Sequence, residues 1–393
     1  MKRVYLDHNA TTPLRLEARK AMLKAMDLVG NPSSVHAEGR ASKMLIGRAR
    51  AQVAALVGCK PMQVIFTGSA TEAAALAVAQ KNNHGGRFAA VATEHDCLEA
   101  WSDVDLFEKQ QSQRRGWGAI DSNEHMRMWI QSKACTPEQL TGKSAALVAV
   151  SAANGETGII ETATFDGCEE TYIWKTNVKY SKITDLTQAA GKLKITPEMI
   201  DHASYAILSA HKIGGPKGVG ALINFTADDP QAIIRGGGQE MGRRSGTENV
   251  IGIAGFGAAA QAAHRDVMAG KWTEVEKLRN ILERALEAFS KKTIFVGKEV
   301  PRLPNTSCFI TPGWKGDTQV MQMDLAGFAI SAGSACSSGK VKASRVLKAM
   351  GYSDLEAASA VRVSLGLETT EDDVLRFAQA WGEKLKKQES RAA

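Results

Sequence analysis

The chain has 393 residues, which at about 150 residues per domain predicts two or three domains, or one large unit with an appendage. Hydrophobic residues make up 44% and charged residues 23%, a composition that excludes disordered and collagen-like chains. The formal net charge is +7, from 49 basic and 42 acidic residues scattered along the chain without a nucleic-acid-binding motif, so no nucleic-acid partner is expected.

The predicted elements alternate between helices and short buried strands. Apolar residues at helical spacing predict helices over 14–28 and 35–57, and QVIF predicts a strand before the helix that starts in TGSATE. Further strands are predicted at 89–93, 146–151, 205–209 and 219–224, helix throughout 250–291, and a smaller α+β unit over 292–393. This alternation predicts a largely parallel sheet covered by helices on both faces. We find no membrane span and no signal peptide in the sequence, and we expect a cytoplasmic protein.

The cysteines favour free thiols over disulfides or a metal site. They number six, none in a CxxC pair, at positions 59, 97, 135, 168, 308 and 336. Cys308, in SCFI, is predicted to be buried in a strand. Cys336 lies in SAGSACSSGK, whose small residues predict an exposed, mobile loop, and its thiol is a candidate nucleophile.

Two segments could bind an anion or carry reactive chemistry. TGSATE follows a predicted strand and starts a helix, so Thr71 and the helix N-terminus could bind a phosphate, or form an ordinary capped helix start. In ILSAHKIGG, Lys212 follows another strand, where open α/β sheets bind ligands, and is a candidate Schiff-base former. The alternative is a solvated loop lysine. Ser209 and His211 beside it add two polar groups that suit a phosphate.

Three further polar residues are candidates for ligand binding, and two of them have an alternative role. Asp185 of ITDLTQAAGKL is placed two residues after a predicted strand, where it could keep a heteroaromatic nitrogen protonated or cap a helix. Gln188 follows it and could donate to a ring oxygen. Arg362, in the alternating strand VRVSLG, could bind a carboxylate through both terminal nitrogens or form a surface salt bridge.

Taken together, these segments resemble the pyridoxal-phosphate-dependent cysteine desulfurases of the NifS/IscS type, in the class V aminotransferase superfamily. The resemblance covers nearly the whole chain apart from roughly 100–140 and 160–182, and is carried by YLDHNATTP, NPSSVHAEGR, TGSATE, EHD, ANGETG, DLTQAAGK, SAHKIGGPKGVGAL, GGGQEMGRRSGTEN, SAGSACSS and VRVSLG. It implies a type I pyridoxal-phosphate transferase fold with a mostly parallel seven-stranded sheet and a smaller α+β domain. The large domain would be 15–260, and the small one 1–14 with 261–393.

The resemblance also assigns roles by position. Lys212 would hold pyridoxal 5'-phosphate covalently, His95 would stack on its ring, Asp185 would pair with the ring nitrogen and Gln188 with the phenolic oxygen. The phosphate would be bound by Ala70, Thr71, Ser209 and His211, and by Thr247 from the other subunit of a homodimer. Asn154 and Arg362 would bind the carboxylate of L-cysteine. Cys336 would accept the sulfur, in a loop of the length expected for the long-loop NifS/IscS branch, and pass it to iron-sulfur cluster assembly or another acceptor protein.

Some positions depart from the family pattern. AAALA after TGSATE, from Ala73 to Ala77, stands where Ser and Asn residues are usual, Gly155 replaces a second Asn, and Ile183 replaces a frequent His. Alternative functions are a selenocysteine lyase or an aminotransferase of the same superfamily, or a catalytically silent interaction protein with this fold. A nicotinamide-binding site at GFGAAA (255–260) is set aside, because no strand precedes that motif.

Overall fold

The computed structural model describes residues 3–103, 147–160, 181–333 and 343–392. Within these ranges the helices are α1 Leu16–Met26, α2 Ala37–Val57, α3 Ala70–Val78, α4 Asp96–Glu99, α5 Pro197–Ile200, α6 Val250–Met268, α7 Trp272–Phe289, α8 Gly316–Leu325, α9 Arg345–Ala349, α10 Asp354–Ala358 and α11 Glu371–Ala392. The strands are β1 Val4–Tyr5, β2 Val64–Thr67, β3 Phe88–Ala90, β4 Leu147–Ser151, β5 Ser181–Asp185, β6 Ala203–Ser209, β7 Gly220–Asn224, β8 Ile294–Phe295, β9 Thr306–Ile310, β10 Phe328–Ala329, β11 Ser331–Ala332 and β12 Ala360–Ser364. Short 3-10 turns lie at Pro61–Gln63, Ala79–His84, Ala210–Ile213 and Gln239–Gly242.

The large sheet has the strand order β2-β7-β6-β5-β4-β3. Its pairs from β3 to β6 are parallel, and β7 is antiparallel to both of its neighbours. The predicted α/β architecture is therefore confirmed as a mixed sheet. Seven strands were expected, and the described part of the chain contains six strands of this sheet.

Both faces of this sheet are buried, as its nearly continuous apolar strands require. Alternate residues of β6 point to opposite faces: Ala206 and Leu208 join the core beneath α2 and α6, and Tyr205 and Ile207 join the core beneath α3. Helix α6 approaches α2 closely at Gly257, where an added Cβ would lie 2.5 Å from the Ala49 Cα. The sheet is thus a rigid support for the segments that leave its edges.

A second, smaller sheet has the order β11-β12-β9-β8, and all of its pairs are antiparallel. Its core is covered by α7, α8 and α11 and contains Trp314, Phe377 and Trp381. Strand β1 pairs in parallel with β10, so the start of the chain packs with this C-terminal unit. The division at residue 260 remains a prediction, and that boundary lies inside α6.

Several predicted boundaries shift in the structure. The helix expected over 250–291 is two helices, because Gly270 adopts a left-handed φ of 68° between α6 and α7. The strand expected at 89–93 is β3, which ends at Ala90. Cys308 is fully buried on β9, as predicted. Of the helices in the described ranges, none is both long enough and apolar enough to cross a membrane.

Candidate active site

Five of the six strands described in the large sheet have their carboxyl ends at the same edge of the sheet. Strands β2 and β6 run in the same direction because each is antiparallel to β7, and β3, β4 and β5 run parallel to β6. The carboxyl ends of parallel strands are where open α/β sheets bind ligands. The segments that leave this edge carry most of the predicted site residues, namely Ala70, Thr71, His95, Asn154, Asp185, Gln188, Ser209, His211 and Lys212.

Lys212 lies in the 3-10 turn directly after β6. Its Nζ donates to the backbone oxygens of Asn9 and Ala10, each at 2.8 Å, so the segment after β1 crosses the edge of the large sheet at this lysine. The Thr12 hydroxyl donates to the Lys212 carbonyl at 3.1 Å. Lys212 is therefore held by neighbouring backbone and is not the solvated loop lysine of the alternative interpretation.

Asp185 is the last residue of β5, not two residues beyond the strand as predicted. It is 7% exposed, and its Oδ1 accepts a hydrogen bond from the Thr187 amide at 2.8 Å. A turn follows it, so the helix-capping interpretation is wrong. Gln188, in the next turn, donates through Nε2 to the Asn9 carbonyl at 3.0 Å, the same oxygen that accepts from Lys212.

The N-terminus of α3 lies next to the end of β6. Ser209 is paired with Gly220 of β7, and an added Cβ at Gly220 would lie 2.7 Å from the Ala70 amide nitrogen. The α3 turn and Ser209 can approach each other only because this position has no side chain. The cap of α3 is the Ser69 hydroxyl, which accepts from the Glu72 amide at 3.1 Å, so the cap predicted at Thr71 is wrong. Thr71 lies exposed in the first turn, where amide groups suit an anion.

His211 and Thr247 complete the predicted phosphate set. The His211 Nδ1 lies 3.1 Å from the Thr11 hydroxyl, and burial with the nearby Lys212 lowers the pKa of His211 to about 4. Its ring is therefore neutral at pH 7. Thr247 is exposed and lines a recess together with Gly68 and Arg244. Its contact with a partner subunit remains a prediction.

His95 precedes α4 and accepts at Nδ1 from the Cys97 amide at 3.1 Å. Burial raises the pKa of Cys97, and the Asp185 carboxylate is close enough to raise it further. The turn that carries His95 is therefore near Asp185, as a residue stacking on the same ring requires.

Asn154 and Arg362 meet at the other side of the site. The Asn154 amide donates to the Thr93 carbonyl at 2.9 Å and accepts from the Glu156 and Thr157 amides, each at 2.9 Å. Arg362, on β12, donates to the Gly155 carbonyl at 3.0 Å and to the Asp7 carboxylate at 2.9 Å. In the described structure its buried Nε has no hydrogen-bond partner. Arg362 is 6% exposed, so the surface salt bridge is excluded.

The residues present fit pyridoxal phosphate. An amine, a buried carboxylate and a neutral amide lie together beside a helix N-terminus, matching the aldehyde, ring nitrogen, ring oxygen and phosphate of that cofactor. Gly155 lies against Gln188, since an added Cβ would be 3.3 Å from its Nε2. Cys336 lies outside the described residues.

Sequence reasoning missed three contributors, the half-buried Asp7 and the buried Asn9 and Lys192. Asp7 binds Arg362, and Asn9 accepts from both Lys212 and Gln188. Lys192 donates to the side chains of Gln188 and Asn9. The available signals were the polar cluster in YLDHNATTP and a lysine placed in the small-residue turn AAGKL.

Comparison with known proteins identifies the family. The model of the family "Aminotransferase class-V" matches residues 4–377. A cysteine desulfurase of Cereibacter sphaeroides is 36% identical over 96% of this chain and 95% of its own length, and a cysteine desulfurase IscS of Dictyoglomus turgidum is 33% identical over 95% and 92%. The crystal structure of a NifS-like protein from Rickettsia africae superposes with a TM-score of 0.77 at 29% identity, covering 98% of this chain and 99% of that one. The chain therefore belongs to the class V aminotransferase family of pyridoxal-phosphate enzymes, in its cysteine desulfurase group.

Proposed function

We propose that this enzyme removes sulfur from L-cysteine, releasing L-alanine and leaving a persulfide on Cys336. The observation that carries the proposal is the shared acceptor at Asn9, which brings the Lys212 amine and the Gln188 amide together at the sheet edge where Asp185 lies. The relatives named cysteine desulfurase, which match over nearly the full length, support the same reaction.

Each site residue has a task in this reaction. When bound, pyridoxal phosphate supplies an electron-withdrawing ring that acidifies the α-carbon of an amino acid. Asp185 keeps the proton on the ring nitrogen, and the Lys212 amine moves the proton at the substrate α-carbon. His95 would stack on the ring. The phosphate would be bound by Ala70, Thr71, Ser209, His211 and the partner subunit's Thr247.

Asn154 and Arg362 orient the substrate carboxylate. The unpartnered Nε of Arg362 is a donor that a carboxylate can use, and the ion pair with Asp7 holds the guanidinium in place. The Asn154 amide is held by the Thr93 carbonyl and the Glu156 amide, and the second N–H of its nitrogen is a donor for the carboxylate.

Cys336 performs the sulfur transfer. Its thiolate attacks the substrate sulfur, an S–S bond forms, and the C–S bond of the substrate breaks with its electron pair left on carbon, which a proton then quenches to give alanine. A thiol with a pKa of about 8.5 is only a few per cent thiolate at neutral pH, so the reaction speeds up as pH rises toward that value.

The working enzyme is proposed to be a homodimer that passes sulfur to an iron-sulfur scaffold or another acceptor protein. Large apolar side chains are exposed on α1 and on the segment that precedes Thr247, among them Leu16, Leu23, Met26, Ile233, Ile234 and Met241. Apolar surface of this kind is typical of a protein interface. The cytoplasmic location remains a prediction.

The direct test measures alanine and sulfide released from L-cysteine in the presence of a thiol reductant. We expect equal amounts of the two products and a yellow protein. Lys212→Ala should lose both the colour and the reaction. Cys336→Ala should keep the colour and release almost no sulfide. Undiminished sulfide release by Cys336→Ala would contradict the persulfide and favour the selenocysteine lyase alternative.

A further inference from the structure

Lys192 is a buried lysine that the reaction above does not use. It is 4% exposed, and its Nζ donates to the Gln188 Oε1 at 2.6 Å and to the Asn9 Oδ1 at 2.9 Å. Both partners are neutral amides, so neither compensates a charge. Burial, together with nearby Lys212 and Arg362, lowers the pKa of Lys192 well below its usual value. Stability of the fold does not account for an uncompensated amine at this position.

The contact with Lys192 fixes which way the Gln188 amide faces. A lysine nitrogen donates to an amide oxygen in both its charged and its neutral form, and a neutral amine still has two hydrogens for the two oxygens here. Oε1 of Gln188 therefore faces Lys192, and Nε2 faces the Asn9 carbonyl beside Lys212. An amide nitrogen carries two hydrogens, and the Asn9 carbonyl uses one of them.

We propose that Lys192 is a positioning residue: it holds the Gln188 amide so that its second N–H is a donor available to the ring oxygen of the cofactor at Lys212. The inference rests on the proposed site, in which Gln188 serves that oxygen. A donor there stabilises the ionised ring oxygen, whereas an amide turned the other way would present an oxygen and repel it.

Three charged or titratable groups lie near Lys192, namely Lys212, Arg362 and His8. All three stay unchanged in every variant that is compared below. Lys212 and Arg362 are near enough to lower the pKa of Lys192. Burial lowers the pKa of His8 to about 4, with Lys192 contributing, so His8 is neutral at pH 7. Lys192 itself should therefore be replaced by a neutral side chain of similar length that cannot orient the amide.

The experiment follows the visible absorbance of the bound cofactor against pH, without substrate, in the wild type, Lys192→Met, Gln188→Leu and the double variant. We expect Lys192→Met to raise the pH midpoint of the absorbance change by about one unit. The double variant should have the midpoint of Gln188→Leu alone, because Lys192 acts through that amide.

Lys182→Met is the matched control. Lys182 is also buried, with a pKa lowered by burial to about 8, but it lies at the opposite end of β5 from Asp185. Its replacement should leave the midpoint unchanged. If Lys192→Met does not fold, Lys192→Gln keeps an N–H donor on a shorter side chain, and we expect a smaller upward shift.

The inference would be overturned by an unchanged midpoint in cofactor-loaded Lys192→Met, or in Lys192→Gln where that variant replaces it. Shifts that simply add in the double variant would overturn it too. An equal shift in Lys182→Met would also overturn it. A wild-type chain that takes up no pyridoxal phosphate would instead contradict the proposed function, so the two failures are distinguishable.

Discussion

The Asn9 side chain joins segments that follow strands of the large sheet to strand β9 of the second, smaller sheet. Its Oδ1 accepts from Lys192 and from Asn305, and its Nδ2 donates to the Gly155 carbonyl at 3.2 Å and the Thr306 hydroxyl at 2.9 Å. Lys212 and Gln188 donate to the backbone oxygen of Asn9 and not to this side chain. The side chain therefore supports the site indirectly, by holding that oxygen in place.

Asn9→Ala should lower the free energy of unfolding by at least about 2 kcal/mol, because several buried polar groups lose their partner together. Cofactor affinity should fall as well, since the carbonyl that fixes Lys212 and Gln188 is no longer held. Denaturant midpoints and cofactor titration measure both effects. Asn224→Ala is the control: Asn224 is also buried but holds only the local turn at Thr226 and Asp228, so it should leave affinity unchanged. Equal affinity in wild type and Asn9→Ala would contradict this role.

Glu156 makes the stability of the folded chain depend on pH. Glu156 is half-buried with its Oε1 atom enclosed, and burial raises its pKa from 4.5 to about 7. The folded chain therefore keeps a proton that the unfolded chain releases, so the stability that Glu156 contributes is complete below pH 4.5 and is lost as pH rises to about 7. Glu156→Gln has no proton to lose.

The free energy of unfolding of the wild type should fall between pH 5 and pH 8, and that of Glu156→Gln should not. We therefore expect the stability difference between the variant and the wild type to change by up to about 3 kcal/mol in favour of the variant. Denaturant midpoints of both proteins at the two pH values test this. Glu274→Gln, at an exposed position, is the control, and its denaturant midpoint should change with pH as that of the wild type does. A difference between Glu156→Gln and wild type that does not change with pH would show that Glu156 is not protonated in the folded chain.

At the scale of elements, the packing of α2 against α6 depends on Gly257. An added Cβ there would lie 2.5 Å from the Ala49 Cα and 2.6 Å from its Cβ, so the helices would have to separate. Gly257→Ala should therefore destabilise the protein by about 2 kcal/mol, although alanine favours a helix over glycine by about 1 kcal/mol.

Gly47→Ala, in α2, is the matched control. An added Cβ at Gly47 meets nothing within 4 Å, so the same substitution should stabilise the helix. Thermal unfolding of both variants gives the comparison. Stabilisation by Gly257→Ala would mean that α2 and α6 do not approach as closely as described.

Local patterns predicted most elements but not their interruptions. The apolar period continues on both sides of Gly270, so one helix was predicted where α6 and α7 are two. A single glycine is compatible with a helix, and only its left-handed φ of 68° in the fold ends it. Lys212 was predictable because a strand and a small-residue turn flank it. The role of Lys192 was not, because its partner Asn9 is 183 residues away in sequence.

At the scale of the whole molecule, we predict a dimer with shared sites. Sedimentation should give twice the chain mass. If the partner subunit's Thr247 binds the phosphate, mixing Lys212→Ala with Thr247→Ala chains should produce heterodimers in which the two defects fall on one site and the other site is intact. Exchange of subunits should therefore restore cofactor binding and activity relative to the two parent dimers. No recovery in verified heterodimers would place Thr247 in its own chain's site or outside the site.

The central claim is that Lys212 and Cys336 act on one L-cysteine molecule. Mass spectrometry of the intact, cofactor-loaded chain after L-cysteine addition without reductant tests it most directly. We predict one added sulfur atom per chain, mapped to Cys336 by peptide analysis, with one alanine released for each, and none of this in Lys212→Ala. Alanine formation without sulfur on Cys336, or sulfur on Cys336 in Lys212→Ala, would contradict the account.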